Sequence, residues 1–157
     1  MFLNQSLAAA LRLRVVVVGL ILAQGLRWKS IGKEVGVNSL RALSLLPFVP
    51  SGKEYDASRQ LFKDLGFEEV WENDGYAGFR NGAAQFILQK FENQAFAENF
   101  MVRLNVPDLD TWWQAVSEKQ LEKTYPQFRI KPPADFAWGR EVNFIDLAGV
   151  CWHVGAS

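Results

Sequence analysis

Cysteine, histidine and methionine are scarce in this chain: its 157 residues include one cysteine, one histidine and two methionines. A single cysteine, Cys151, excludes an intramolecular disulfide and any cysteine-rich metal cluster. It fits a reducing compartment, so we expect a cytoplasmic protein. Glycine loops of the Walker or dinucleotide type are also missing, which excludes the common phosphate-binding motifs.

Long apolar runs are absent as well. The longest, residues 15–23, has nine residues, whereas a helix that crosses a bilayer needs about 20, so we expect no membrane partner. Arg12 and Arg14 precede this run, as in a signal peptide. Residues 1–42 therefore have three open interpretations: an extension outside the fold, a buried or interface helix, and, as a minor alternative to cytoplasmic location, an export signal.

The net charge is zero, but the charges are unevenly placed. Residues 1–42 hold six basic residues and one acidic residue, whereas residues 43–157 hold eleven and sixteen. An acidic body disfavours a nucleic-acid groove and favours a cationic small molecule. We therefore expect a small-molecule ligand and no nucleic-acid partner.

Residues 43–92 predict a strand, a helix and three strands. The segment "LSLLPFV" predicts an edge strand that Pro47 interrupts. The segment "EYDASRQLFKDLG" has helical spacing, with Asp56 as the expected N-cap and Gly66 at the left-handed C-terminal position. The segments "FEEVW", "YAGFR" and "AQFILQ" predict three strands, and Asn81-Gly82 predicts the last hairpin.

Residues 98–157 repeat this order. The segment "NFMVRLNV" alternates as a strand, "PDLDTWWQAVSEKQL" predicts a helix capped by Asp108, and "REVNFI" and "GVCWHV" predict strands. The order indicates two copies of one unit, offset by roughly 60 residues.

Alternation in the last strand separates two faces. Val150, Trp152 and Val154 share an apolar face that helices can cover, whereas Cys151 and His153 lie on the opposite, mixed face. The strand "AQFILQ" divides in the same way. The mixed faces are expected either to surround a ligand or a partner chain or to remain exposed to solvent.

Three segments carry a family resemblance. They are "LPFVPSGKEYDASRQLFKDLGF", "WENDGYAGFRNGAAQFILQ" and "WGREVNFIDLAGVCWHV", and together they resemble the bleomycin-resistance proteins of the glyoxalase/vicinal-oxygen-chelate superfamily. The resemblance covers about residues 43–157, and Leu147 stands where the family's turn usually has proline. It implies an α+β fold in which two βαβββ modules, approximately 43–92 and 98–157, form a curved, half-open mixed-sheet barrel.

The resemblance also implies a function. Drug-binding members are homodimers, in which an N-terminal arm can exchange at a proline bend that Pro47 matches. They sequester a cationic, aromatic antibiotic of the bleomycin type in a crevice between subunits and break no bond. Two alternatives stay open: a metal-dependent lyase, isomerase or dioxygenase of the same superfamily, and a non-enzymatic interaction module.

The metal positions of the superfamily are poorly filled. Transferred strand by strand, they fall on His153, Gln89, Met101 and Ser44. Only the first two suit a hard divalent ion, which wants three or four oxygen or imidazole donors. We therefore expect no metal, no cofactor and no catalytic residue, and we expect Cys151 to be a packing residue.

Aromatic faces and carboxylates hold flat cations, through contacts of about 0.5–2 kcal/mol each. Trp138, in a segment that matches the family's ligand-contact region, is the strongest candidate. Arg103 would oppose a cation, so it is expected either to pair with an acid such as Glu141 or to indicate a ligand that is not bleomycin. The candidate ligand-binding residues are Trp138, Arg140, Glu141, His153, Asp74, Tyr76, Phe96, Glu98, Gln89 and Arg103.

Overall fold

The computed structural model describes residues 40–157, so the interpretations of residues 1–39 lie outside the described part of the chain. Residues Leu43–Ser157 form one compact unit that contains two modules. The first module consists of β1 (Phe48–Pro50), α1 (Tyr55–Asp64), β2 (Glu68–Asn73), β3 (Tyr76–Asn81) and β4 (Ala84–Gln89). The linker helix is α2 (Gln94–Glu98). The second module consists of β5 (Met101–Val106), α3 (Leu109–Glu118), α4 (Leu121–Thr124), β6 (Arg129–Ile130), β7 (Ala134–Phe136), β8 (Gly139–Ile145) and β9 (Cys151–Ala156).

Each module forms one open, mixed sheet. The strand orders are β1-β4-β3-β2 and β5-β9-β8-β6, and β7 also pairs with β8. The predicted α+β fold class with two related modules is confirmed. The second module has one strand more than predicted, because Pro132 and Pro133 separate β6 from β7 and both short strands pair with β8.

Local signals at the element ends were mostly correct. β1 begins directly after Pro47 and lies at the sheet edge, where it pairs only with β4. Asp108 caps α3, because its Oδ1 accepts the N–H of Thr111 at 2.7 Å. The predicted cap Asp56 is wrong: the N-cap is Glu54, without a side-chain hydrogen bond, and Asp56 lies in the first turn of α1.

The hairpin between β3 and β4 is shifted by one residue. Asn81 is the last residue of β3 and pairs with Ala84, so the loop residues are Gly82 and Ala83. Gly82 has a φ of 57°, a conformation that glycine adopts without strain. The predicted hairpin is therefore present, with the glycine at the first loop position.

The hydrophobic core joins the two sheets. Phe62 of α1, Phe86 of β4 and Trp152 of β9 contact one another, with ring centroids 4.7–5.4 Å apart. Because β4 and β9 belong to different sheets, the buried faces of both sheets share this core. The predicted alternation of β9 is confirmed, since Trp152 and Val154 are buried whereas Cys151 and His153 are only partly buried.

The mixed face of each sheet consequently lies on the side away from the core.

In the described part of the chain, no helix is both long and apolar enough to cross a bilayer.

Candidate functional site

The mixed face of the first sheet carries exposed aromatic side chains. We call it the first wall and define it by Phe48, Trp71, Tyr76, Gly78 and Gln89. Phe48 and Tyr76 meet edge to face with their centroids 6.2 Å apart, and Gln89 Nε2 donates to the Tyr76 hydroxyl at 3.4 Å. The aromatic rings are 38–52% exposed, so the first wall offers ring surface to another molecule.

A β-bulge brings Trp71 to the first wall. Glu69 pairs with Phe79 and Trp71 pairs with Gly78, so Val70 is an extra residue in β2. Strict alternation would have put Trp71 beside Glu69, on the helix side of the sheet. Gly78 makes room for the indole, because a side-chain carbon at that position would overlap Trp71.

Trp71 and Phe48 belong to the first wall but were not among the residues predicted from the sequence. The available signal was Gly78 in the middle of a strand, because an internal strand glycine often marks a bulge or a close approach of another group.

The mixed face of the second sheet is polar. We call it the second wall and define it by Met101, Arg103, Glu141, Asn143, Cys151 and His153. Arg103 forms an ion pair with Glu141, as expected. Glu141 is only 1% exposed, and the Arg103 side chain covers it by passing over Gly155, where a side-chain carbon would clash. The pair neutralises the positive charge that would oppose a cationic ligand.

His153 is held in a defined orientation on the second wall. Its Nδ1 lies 2.9 Å from Glu141 Oε2 and 2.8 Å from Asn143 Nδ2. The two contacts require opposite roles of Nδ1, because a carboxylate can only accept a hydrogen bond whereas an amide NH2 group can only donate one. With the proton on Nδ1, the ring donates to the buried Glu141 carboxylate, and Asn143 has to present its amide oxygen instead. The lone pair of Nε2 then faces Cys151 Sγ, at 3.6 Å. Gln89, the other residue at a superfamily metal position that suits a hard ion, lies on the other sheet.

Cys151 lies on the second wall, and its side chain is partly exposed to solvent. Burial raises the pKa of its thiol, and the charge of Asp146 raises it further. Because the side chain is protonated at neutral pH, a thiolate nucleophile is not preformed here.

The turn between β8 and β9 is organised by the buried carboxyl group of Asp146. Its Oδ1 accepts the backbone N–H groups of Ala148, Gly149 and Val150 at 3.0–3.1 Å, and its Oδ2 accepts Trp152 Nε1–H at 3.0 Å. Burial raises the pKa of Asp146 to about 6, although the four donors act in the opposite direction. The turn sets the register in which β9 carries its mixed-face residues.

Trp138 lies at the tip of the β7–β8 hairpin. It is 69% exposed, and its ring stacks on Phe136 at 5.2 Å with an interplanar angle of 11°. Arg140 projects to the helix side of β8, where it pairs with Asp110 of α3 at 2.8 Å. Arg140 is therefore separated from its neighbour Glu141, which belongs to the second wall.

Three further candidates lie near the ends of the first module. Asp74 is in the turn before Tyr76, with a φ of 48°. In the linker helix, Phe96 is 47% exposed and stacks on Phe100 at 5.6 Å. Glu98 lines a cleft of about 340 Å³ between the modules. The ten candidates are thus divided among the first wall, the second wall, the linker, the β7–β8 hairpin, the β2–β3 turn (Asp74) and the helix side of β8 (Arg140).

Solved structures share this architecture. A bleomycin-binding protein from Streptomyces verticillus, complexed with copper(II)-bleomycin, is 22% identical with a TM-score of 0.63, over 75% of this chain and 98% of that chain. A bleomycin resistance determinant encoded on transposon Tn5 is 20% identical with a TM-score of 0.63, over 74% and 98%. The chain has the glyoxalase/bleomycin-resistance fold.

This fold also includes enzymes. A lactoylglutathione lyase from Agrobacterium tumefaciens is 15% identical with a TM-score of 0.51, over 74% of this chain and 96% of that chain. Neither a family model nor a curated protein matches the sequence. Because one fold supports both binding and catalysis, the function has to be argued from the walls.

The walls of this glyoxalase/bleomycin-resistance fold do not assemble a site for a hard metal. Among residues 40–157, no three side chains of histidine, cysteine, aspartate or glutamate converge on a metal-sized position. His153 and Gln89, the two suitable ligands at the superfamily positions, lie on different sheets.

Proposed function

We propose that the chain sequesters a cationic, aromatic small molecule of the bleomycin type in a crevice between two copies of itself. The observation that carries this proposal is the position of the hydrophobic core. Because both sheets turn their apolar faces to that core, each mixed face needs a second molecule to become the wall of a closed crevice. A second copy supplies such a wall, and a two-fold axis places the first wall of one copy opposite the second wall of the other.

The chemistry of the first wall favours a flat ligand. Phe48, Trp71 and Tyr76 expose ring faces and edges without a competing charge among them. Each stacking or cation–π contact with a bound cation stabilises the complex by about 0.5–2 kcal/mol. Trp138, the most exposed tryptophan in the described part of the chain, adds a further aromatic contact at the β7–β8 hairpin.

The second wall supports binding without bond breaking. Its buried carboxylate is neutralised by Arg103, and its thiol is protonated, so neither group is prepared to act as a base or a nucleophile. Affinity then comes from stacking, from burial of apolar surface and from the acidic charge of residues 43–157.

Titration of the purified full chain with bleomycin or phleomycin tests the proposal. We expect saturable binding in calorimetry, quenching of tryptophan fluorescence and a dimer in sedimentation analysis. Trp71→Ala and Trp138→Ala should each weaken binding by about 2–30-fold, the factor that corresponds to one stacking contact. Trp113→Phe, in α3 where the side chain packs against the core and away from both walls, is the control and should leave affinity unchanged.

Two outcomes would contradict the proposal. Absence of binding at micromolar drug, with the dimer intact, would point to an interaction module. Stoichiometric zinc, nickel, manganese or iron in the purified protein would instead favour an enzyme of the same fold.

A further inference from the structure

Three soft donor groups lie together on the second wall. β5 runs parallel to β9, and Met101 is the direct register partner of Cys151. Cys151 and His153 are two residues apart on the same strand, so all three side chains share the mixed face. The Met101 side chain is 66% exposed and starts from the register position directly beside Cys151.

The distance between two of the donors matches a shared metal. A metal bound to a thiolate at about 2.3 Å and to an imidazole nitrogen at about 2.0–2.1 Å, with about 109–120° between the bonds, holds the two donor atoms about 3.5–3.8 Å apart. Cys151 Sγ and His153 Nε2 are 3.6 Å apart. The two atoms can therefore bind one metal ion without a change of backbone.

The surroundings of His153 also match those of a metal ligand. Metal-binding histidines generally donate their second ring N–H to a carboxylate or carbonyl, which fixes the tautomer and the ring orientation. Glu141 accepts from Nδ1 of His153 and is itself held by Arg103. The ring is thus oriented with the lone pair of Nε2 directed to the position that a metal would occupy.

We propose that Met101, Cys151 and His153 bind one copper(I) ion on the second wall. Thioether, thiolate and imidazole donors together select copper(I), whereas magnesium, calcium and manganese prefer oxygen ligands. On binding, the ion forms a bond to Cys151 Sγ, and the thiol proton is released to solvent; no electron is transferred. The copper site lies on the second wall, which also borders the proposed drug crevice, but copper(I) binding does not depend on the drug proposal and is measured without any drug.

The experiment measures copper(I) affinity of the tag-free full chain under anaerobic conditions, by competition with a chromogenic copper(I) chelator. We expect one ion per chain. Cys151→Ser and Met101→Leu should each lower the affinity by at least about tenfold, the smallest loss usual for a group that only supports a metal ligand. Asn105→Ala, on the same face of β5, is the matched control and should bind copper(I) like the unaltered chain.

Met101→Leu is the most informative variant, because an exposed, volume-conserving change leaves folding intact. X-ray absorption at the copper edge should show two sulphur ligands and one nitrogen ligand, and one sulphur should disappear in this variant. Affinity that is unchanged by both substitutions, copper bound elsewhere, or tighter binding of zinc than of copper(I) would overturn the proposal.

Discussion

The buried carboxyl group of Asp146 makes the stability of this chain dependent on pH. Two effects compete at this group: burial favours the neutral acid, and four hydrogen-bond donors favour the carboxylate. Burial prevails and raises the pKa to about 6. In the unfolded chain the same group returns to an ordinary aspartate pKa of about 3.9.

The sign follows from the two pKa values. Between about pH 4 and pH 6 the folded protein retains a proton on Asp146 that the unfolded chain has lost. The stabilisation that the folded protein gains from keeping Asp146 protonated is therefore fully present below about pH 4, and it is lost as the pH rises through 6. A shift of about 2 units corresponds to about 3 kcal/mol of the free energy of unfolding.

Urea unfolding at a series of pH values between 4 and 7.5 measures this loss, with Asp146→Asn as the control. The variant lacks the titrating group, so the difference in the free energy of unfolding between the two proteins reports on Asp146 alone. Other groups have the opposite effect on stability. One is Glu69, whose pKa is lowered mainly by its hydrogen bond to Arg59. An NMR titration of the Asp146 carboxyl carbon gives the folded pKa directly. A value below 4, or a difference that is independent of pH, would refute the reasoning.

Two further substitutions test the walls. Gly78→Ala places a side chain where Trp71 lies, so we expect a loss of about 1–3 kcal/mol in the free energy of unfolding. The loss should be small when Trp71 is also replaced by alanine. Equal losses with and without Trp71 would contradict the contact between the two residues. Arg103→Ala removes the cationic partner of the buried Glu141 carboxylate and leaves His153 Nδ1 beside it, which should cost about 3 kcal/mol of the free energy of unfolding. Urea unfolding should show partial recovery when Glu141→Gln is added, and no recovery would refute the ion-pair explanation.

Much of the fold was predictable because its signals are local. Alternation in β5 and β9, helical spacing in α1 and α3, and the glycines at positions 66 and 82 each depend on a few neighbouring residues. The failures were local as well. Asp56 has the right residue type for a cap, but the helix begins two residues earlier than that assignment requires.

The walls were less predictable, because they depend on contacts between distant residues. The pairing of Arg103 with Glu141 was anticipated from the faces of their strands and is confirmed. The orientation of His153 toward Glu141 depends on the register of β8 against β9, which the Asp146 turn sets and the sequence pattern does not reveal. Trp71 was missed because a bulge reverses the alternation of its strand.

The single extra residue in β2 has a consequence for how such proteins diversify. Without the bulge, a strand of the same length would pair Val70 with Gly78 and Glu72 with Tyr76, so Trp71 would move to the helix side and Glu72 to the first wall. A shift of the bulge along an edge strand can therefore change what a chain recognises, while the hydrophobic interior behind it stays as it was.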